Sequence, residues 1–224
     1  MRFCAASDQS MLIYLGEEIA LETHEQVLKL LRLLQKEPPA WLRNIQPAYC
    51  SLMVSFDAAR VDHSAVESAM REFERRAESL QPPKSRIVEI PVCYHAEFAP
   101  DLAEVARIRG LAPKQVIRFH TSRTYHAYFL GFAPGFAYLG DIADEIVTPR
   151  LDVPRKSVPV GSVAIAGKQT AVYPFSTPGG WRLIGRTPLT LFKPSRKPME
   201  LISVGDQVRF RAISRDEFSE LTSP

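Results

Sequence analysis

The residues of this chain that could do chemistry are polar side chains beside two glycine-rich corners. Residues 134–140 read PGFAYLG and residues 178–185 read PGGWRLIG, so each corner places Pro-Gly ahead of an aromatic residue. Proline fixes φ, glycine permits positive φ and close backbone approach, and an aromatic face then walls a small ligand beside the exposed amides. The polar candidates near these corners are His120, Arg150, Arg155, Gln169, Thr170, Arg186 and Thr187.

These residue types favour a small anionic ligand. Arginine offers a planar fork for carboxylate or phosphate, and a buried amide such as Gln169 can orient a lactam or amide substrate. A second interpretation stays open, in which the corners are ordinary barrel turns around a buried aromatic plug and the arginines form a solvated surface. Only the crowding of the polar groups around the corners supports the functional interpretation.

Several catalytic motifs are absent or incomplete. Residues 161–169, GSVAIAGKQ, imitate a P-loop but have one residue too many, and Gln169 stands where Ser or Thr should hold Mg²⁺. Ser157 and Ser162 lie in no GxSxG elbow, and the five histidines show no HExxH spacing. We therefore expect neither an independent P-loop ATPase nor a metal bound by this chain.

Composition indicates a globular protein that can bury a core. The 224 residues are 46% hydrophobic, and 28 Lys and Arg against 25 Asp and Glu give a net charge of only +3, too balanced for a nucleic-acid footprint over the whole surface. Three distant cysteines form no disulfide framework, and no apolar run approaches the roughly 18 residues of a membrane helix. The expectation is a cytoplasmic protein that binds neither nucleic acid nor membrane.

Glycine usage predicts two domains. Of 11 glycines, only Gly16 precedes residue 100, so a compact, regular first part is followed by a second part rich in turns. The segment QPPK at 81–84 favours a linker, because two prolines end a helix and stiffen the chain. We place an α+β domain at 1–84 and a mainly β domain at 85–224.

The elements of the first domain follow from its patterns. A helix is predicted behind a Thr23–Gln26 capping box and ends before Pro38, and a second begins at a Ser64–Glu67 box. The runs MRFCAA, MLIYL, AYCSLMVSF and RIVEIPVCY are typical of strands. The resulting order, β-β-α-β-α-β, suggests helices packed on a small sheet.

The second domain is predicted to be a closed or nearly closed barrel. Two short helices come first, from Asp101 to Gly110 and from Pro113 to about His120. Short β-rich runs separated by Gly, Pro and Ser follow, which is typical of barrels: TYHAYFLGF, SVPVGSVAIAG, QTAVYPF, LTLFKP, MELISV and QVRFRAI.

Three motifs in order resemble a known family. They are HTSRTYHAYFLGFAPGFAYLG, TPRLDVPRKSVPVGSVAIAGKQTAVYP and STPGGWRLIGRTPLTLF, and the family includes the B subunit of bacterial 5-oxoprolinase, the sporulation kinase inhibitor KipI and the first allophanate-hydrolase-like region of urea carboxylases. The resemblance implies a ferredoxin-like α+β N-terminal domain followed by a mainly β, cyclophilin-like barrel. The barrel label concerns fold only and implies no prolyl isomerase activity.

The same resemblance implies a function within a complex. The B subunit would work with two partner subunits, C and A, to cleave 5-oxoproline to L-glutamate, with ATP and Mg²⁺ used at the level of the complex and no activity in this chain alone. Two alternatives stay open at this point: a KipI-like inhibitor of a sensor histidine kinase, and a subunit that processes urea or another amide. The division of the active site between subunits also stays open.

The chemistry of a lactam assigns hypothetical roles to the candidates. Phosphorylating the carbonyl oxygen turns an inert amide into an activated imidate that water can attack. Arg150, Arg155 or Arg186 would hold the substrate carboxylate or the phosphoryl group, Gln169 the lactam, and His120 a proton. The predicted catalytic residues are His120, Arg150, Gln169 and Arg186, and the predicted substrate-binding residues are Phe132, Pro134, Gly135, Phe136, Arg155, Thr170, Gly179, Gly180, Trp181 and Thr187.

Overall fold

The computed structural model describes residues 1–82 and 84–222, and the chain divides into two compact units, 1–84 and 85–224. The predicted linker QPPK includes Pro83, which lies outside the described residues. Within the described ranges, no helix has both the length and the apolar character needed to cross a membrane.

The first unit is an antiparallel sheet with two helices. Its four strands lie in the order β1-β2-β4-β3, and α1 packs against α2 and the sheet. Both helices are amphipathic, and most of the side chains on their apolar faces are buried; Leu34 and Met70, for example, are fully buried. The elements are β1 (Arg2–Ser7), β2 (Ser10–Tyr14), α1 (Leu21–Lys36), β3 (Leu42–Pro47), β4 (Ser51–Phe56) and α2 (His63–Glu78).

Both helices begin before the predicted capping boxes. Helix α1 starts at Leu21 rather than behind Thr23. The Thr23 side chain instead packs against Gly16, where an added Cβ would lie 2.7 Å from the Thr23 methyl carbon. Helix α2 is capped by Asp62, whose carboxylate accepts the Ala65 N–H at 2.8 Å, and not by Ser64. Aspartate and serine are equally good N-caps, so the sequence pattern alone did not separate them.

The second unit is built on a closed seven-stranded barrel in the order β10-β7-β6-β13-β5-β12-β9, with a separate two-stranded ribbon, β11-β8. Strands β9 and β10 pair to close the barrel. The elements are β5 (Ile87–Cys93), α3 (Leu102–Arg109), α4 (Pro113–Thr121), β6 (Thr124–Leu130), β7 (Ala137–Gly140), β8 (Arg155–Val158), β9 (Ser162–Ala166), β10 (Gln169–Val172), β11 (Thr177–Gly179), β12 (Arg182–Arg186), β13 (Gln207–Ile213) and α5 (Arg215–Thr222).

The predicted order β-β-α-β-α-β is wrong in two places. RIVEIPVCY forms β5, which pairs in parallel with β13 over seven residues and so belongs to the barrel. The first unit instead contains β3, a strand that the hydrophobic pattern did not predict. Strand β3 reads LRNIQP and pairs only with β4, and such an edge strand needs no apolar run that would reveal it.

The runs LTLFKP and MELISV are not strands. Only one isolated bridge, Phe192 with Glu200, joins them, and prolines remove ladder donors from this region. Arg196 holds the turn instead, donating to the carbonyls of Thr190, Leu191 and Met199 at 2.9 to 3.2 Å. Arg196 is therefore part of the structure of this turn and not only a charge on a solvated surface.

Two apolar clusters lie on opposite faces of the barrel strands, because successive side chains of a strand point to opposite faces. In β9, Val163 and Ile165 face the barrel interior, which every barrel strand helps to fill, whereas Ala164 and Ala166 face outward. The outward-facing residues form what we call the outer cluster: Phe136, Val158, Ala164, Ala166, Ala171, Tyr173, Trp181 and Leu183. Both glycine-rich corners end in this cluster.

Candidate functional site

The first corner is a strained loop between β6 and β7. Phe132 has φ of +68°, and the Ala133 N–H donates to the carbonyl two residues earlier at 2.8 Å, which makes a γ-turn around Phe132. Pro134–Gly135 forms the next turn, with φ of +79° at the glycine, closed by the Phe136 N–H at 3.0 Å. A bulky residue at positive φ is strained, and the Phe132 ring is 61% exposed. Such strain at an exposed ring marks this tip as a candidate functional feature.

The second corner lies against the first. The Phe136 and Trp181 rings meet edge to face with centroids 5.8 Å apart. A Cβ at Gly179 would lie 2.4 Å from the Tyr173 hydroxyl oxygen, so glycine is required there for space rather than for positive φ. The Gly180 carbonyl accepts the N–H of Leu151 at 2.7 Å. This hydrogen bond connects the segment between β7 and β8 to the second corner.

Beside the outer cluster, a cavity of about 270 Å³ contains two of the predicted arginines. We call it the arginine pocket. Residues on its wall include Glu97, Phe98, Arg155, Ser157, Ser162 and Arg186. The structure thus brings together Arg155 and Arg186, which lie 31 residues apart in sequence, on strands β8 and β12.

Arg155 is fixed by a buried carboxylate. Its Nη2 donates to Asp101 Oδ1 at 2.6 Å, and Asp101 Oδ2 accepts the Leu183 N–H at 2.6 Å. The Asp101 residue is only 7% exposed. Arg155 Nη1 is buried and has no hydrogen-bond partner among the described residues, which is costly for a charged donor. An acceptor from a ligand would relieve that cost.

Arg186 is held differently. Its Nε donates to the Val160 carbonyl at 2.8 Å, and its guanidinium lies 6.0 Å from the centre of the Phe98 ring. Within the described part of the chain, the terminal nitrogens of Arg186 make no hydrogen bond and no ion pair. The Nε contact leaves the outer edge of the guanidinium available to a carboxylate or phosphoryl oxygen.

Arg150 lies outside this pocket, exposed, with its guanidinium 5.8 Å from the centre of the Trp181 ring. Arg150 and Arg155 both act on the Tyr173 hydroxyl. Burial raises the pKa of that hydroxyl above its ordinary value, and the two arginines lower it by smaller amounts. Tyr173 therefore stays protonated beside the two arginines, as a neutral donor or acceptor.

Gln169 does not reach the arginine pocket. In the barrel register, Gln169 pairs with Ala166 at one end of β9, and Arg186 pairs with Ser162 at the other. Four residues of strand separate these ends by about 13 Å, more than the width of a lactam ring. Thr187 is also occupied structurally, since its hydroxyl accepts the N–H of Leu189 at 3.3 Å.

His120 lies at the end of α4 inside the barrel and is 0% exposed. The Thr170 hydroxyl donates to the Ala164 carbonyl at 3.0 Å, so it accepts the Nε2–H of His120 at 2.9 Å. The other ring nitrogen, Nδ1, then accepts the Tyr94 hydroxyl at 2.7 Å. Burial lowers the pKa of His120 to about 3. The proton-carrier role predicted for His120, and the substrate contact predicted for Thr170, find no support in this closed, neutral network.

The buried imidazole makes stability depend on pH. The unfolded chain binds a proton on His120 below its ordinary pKa of 6.5, whereas the folded chain does so only near 3. Stability should therefore fall by about 1.4 kcal/mol per pH unit as pH drops through that window. Urea unfolding at about pH 7.5 and about pH 5 measures this slope. His126, whose pKa is also lowered by burial, adds in the same direction.

A His120→Gln variant isolates the contribution of one histidine. The variant lacks this titration, so the slope of its unfolding free energy against pH should be smaller by about 1.4 kcal/mol per pH unit. This expectation holds whatever the absolute stability of the variant. An unchanged slope would show that His120 is protonated in the folded chain and would restore it as a candidate acid.

Sequence reasoning missed three residues of the site. Asp101 matched the pattern of a helix N-cap, yet its side chain makes no cap hydrogen bond and binds Arg155 instead. Phe98 and Tyr173 lie in segments that resemble ordinary loop and strand. The sequence did contain one signal for Asp101. Asp101 and Glu104 both lie at the start of α3, so the pair offers one more carboxylate than the helix start requires.

In the ranges 1–82 and 84–222, no group of three or more His, Cys, Asp or Glu side chains is placed to hold a metal ion. The expectation that this chain binds no metal stays a prediction.

Comparison with known proteins places the chain in a family. The family described as "Carboxyltransferase domain, subdomain C and D" matches residues 1–202. The chain is 46% identical to the B subunit of the Bacillus subtilis 5-oxoprolinase over 222 residues, which cover 94% of this chain and 92% of that protein.

Solved structures agree with this placement. The protein TTHA0988 matches with a TM-score of 0.81 and 34% identity over 93% of this chain, which spans 40% of that protein. The K. lactis urea amidolyase matches with a TM-score of 0.79 over 97% of this chain and 15% of that one, at 18% identity, so this likeness concerns the fold alone. The chain belongs to the carboxyltransferase domain family, subdomain C and D, which confirms the resemblance to the B subunits of 5-oxoprolinases drawn from its motifs.

Proposed function

We propose that this chain is the B subunit of an ATP-dependent 5-oxoprolinase and works with the C and A subunits of that enzyme to cleave 5-oxoproline to L-glutamate. The arginine pocket is the observation that supports this most directly, since it offers a guanidinium with free terminal nitrogens beside a second, partly unsatisfied one. 5-Oxoproline is a small lactam with one carboxylate. The curated name of the Bacillus subtilis relative agrees.

In this proposal the chain holds the anionic end of the substrate while the lactam carbonyl is activated. ATP supplies the phosphoryl group that converts the amide to an imidate, which water then attacks. The segment 161–169 does not suit the nucleotide, because it folds as the hairpin of β9 and β10 with no helix to receive a phosphate. We therefore assign ATP and Mg²⁺ to the assembled complex, and the reaction to the cytoplasm.

The site residues divide into those that the proposal uses directly and those that shape the wall. Arg155 and Arg186 bind the anion. We assign the rings and glycines of the two corners, together with Arg150, to a surrounding wall that would contact the rest of the substrate: Phe132, Pro134, Gly135, Phe136, Gly179, Gly180 and Trp181. The lactam role of Gln169 requires a second contact region about 13 Å away, on a partner or a longer substrate.

The fold names are part of the proposal. Moving β1 to the end of the first unit, after α2, converts its order to βαββαβ, the arrangement called ferredoxin-like. The strand order β1-β2-β4-β3 supports a circularly permuted form of that fold. The closed barrel supports the cyclophilin-like name for the second unit. We keep 1–84 and 85–224 as its two domains.

The curated names favour an oxoprolinase subunit over a kinase inhibitor. Reconstitution tests this choice. Phosphate release would be measured with 5-oxoproline for the chain alone, with the C subunit, and with the A and C subunits together. We expect turnover only in the mixtures, because the sequence contains neither a complete P-loop nor a GxGxxG motif. Substantial 5-oxoproline-dependent turnover by the purified chain contradicts the assignment of ATP to the assembled complex. A silent full mixture contradicts the proposed function, and urea as substrate then tests the amide-processing alternative.

A further inference from the structure

We infer that the arginine pocket is a subsite for a monocarboxylate, selected against phosphate by its charge, and that Asp101 is the residue that sets this selectivity by positioning and neutralising Arg155. The inference deepens the proposed function and rests on it for the identity of the ligand. It assigns the pocket to the carboxylate of the substrate rather than to the phosphoryl group.

The charges around the pocket sum to a single positive one. Arg155 is neutralised by Asp101 at 2.6 Å. Glu97, which also lines the pocket, is paired with Arg215 at 2.9 Å. Arg186 is the cation without a carboxylate partner among the described residues of this wall. One unpaired guanidinium matches an anion of charge −1, whereas a phosphoryl group carries about 1.5 to 2 negative charges at neutral pH and inorganic phosphate is a mixture of its monoanion and its dianion.

The geometry suits a planar acceptor. The contact from Arg186 Nε to the Val160 carbonyl leaves the terminal nitrogens for the ligand, and a guanidinium edge matches the two oxygens of a carboxylate. The hydroxyls of Ser157 and Ser162 lie on the same wall, and Phe98 supplies an apolar face for a small ring. This combination of one charge, two hydroxyls and one aromatic face fits a compact carboxylic acid.

Asp101 acts through Arg155. Its two oxygens are both used, one by the guanidinium and one by the Leu183 N–H, so it ties β8, β12 and the start of α3 together at one point. Removing its charge while keeping its shape leaves Arg155 uncompensated. The pocket would then hold two unpaired cations and would favour a more highly charged anion.

The experiment measures binding to the full chain by calorimetry with three probes: 5-oxoproline, its neutral carboxamide and inorganic phosphate. We expect 5-oxoproline to bind at least about tenfold more tightly than either other probe, since a charge-assisted pair is lost in the carboxamide. Arg186→Gln should remove the preference for the carboxylate. Asp101→Asn should raise the affinity for phosphate relative to 5-oxoproline by about tenfold. Lys156→Gln, which removes an exposed charge from the same strand, is the matched control.

Each outcome decides between the pocket and the function. Equal binding of the carboxamide, a preference of the parent chain for phosphate, or an unchanged probe ratio in Asp101→Asn overturns the subsite, and so does failure of 5-oxoproline to bind. Turnover by the reconstituted complex with an unchanged KM for 5-oxoproline in Arg186→Gln overturns the subsite and leaves the proposed function standing. If 5-oxoproline binds to the parent chain, loses affinity in Arg186→Gln and is not turned over by the complex, the subsite is upheld and the proposed function is contradicted.

Discussion

An Arg186→Gln substitution should lower kcat/KM for 5-oxoproline in the reconstituted complex by about ten- to a hundredfold, since a charge-assisted hydrogen bond contributes about 1.5 to 3 kcal/mol. Arg186 has the free guanidinium edge of the pocket, and glutamine retains neither the charge nor the fork. Arg186→Lys should recover only part of the loss, because an ammonium keeps the charge but cannot bind both carboxylate oxygens in one plane.

Two further substitutions test whether the effect is specific to Arg186. Lys156→Gln should change activity little, because Lys156 is exposed on the strand that carries Arg155. Arg150→Gln reports on the wall beside Trp181, outside the pocket. The exposed Lys197 is a second suitable control, whereas Arg196 is not, because it donates to several backbone carbonyls and so stabilises a turn. Equal, small effects at Arg186, Arg150 and Lys156 would mean that the arginines are only a charged surface and that the site lies in a partner protein.

The largest expected loss of stability comes from Gly161→Ala. Gly161 has φ of +79°, and a Cβ there would lie 2.4 Å from the backbone carbonyl oxygen of Thr187. The unfavourable φ and the clash with the backbone directly after β12 add, so the free energy of unfolding should fall by about 2 to 6 kcal/mol. The Gly161 carbonyl also accepts the Thr187 N–H at 2.9 Å, so the backbone cannot move away without losing this contact.

Gly167→Ala is the matched control for that prediction. Gly167 also has positive φ, +54°, but a Cβ there meets nothing within 4 Å. It should lose only about 1 to 2 kcal/mol, the cost of the left-handed backbone. Urea unfolding of the two variants measures the difference, which isolates the clash. Equal losses at the two positions would show that φ alone decides and that β9 and β12 tolerate a shift at this end.

The glycines illustrate how far the sequence determined the local structure. The Pro-Gly pair at 134–135 predicted a turn with positive φ, and the structure has one. At Gly179 the same argument failed, because there the need for glycine comes from the hydroxyl of Tyr173, a residue six positions earlier. Backbone conformation is a local property, whereas the space beside a glycine depends on how distant segments pack.

The candidate site shows the same division. Residue types alone selected Arg155 and Arg186, because few side chains bind a carboxylate in two places. They also selected Gln169 and His120, which the register of β9 and the interior of the barrel separate from that pocket. Strand register and burial are set by pairings between residues far apart in sequence, so no spacing along the chain could have shown that these two lie apart from the arginines.

By itself, the sequence determined the barrel character of residues 85–224, the glycine-rich corners and the family, because turn chemistry and dense motifs are written in contiguous residues. The tertiary structure alone decided which charges remain unpaired. Asp101 neutralises Arg155 across 54 residues of chain, and Arg186 is left with its terminal nitrogens free. The net charge of a pocket depends on which ions lie within a few ångströms of each other, and only the folded chain fixes those distances.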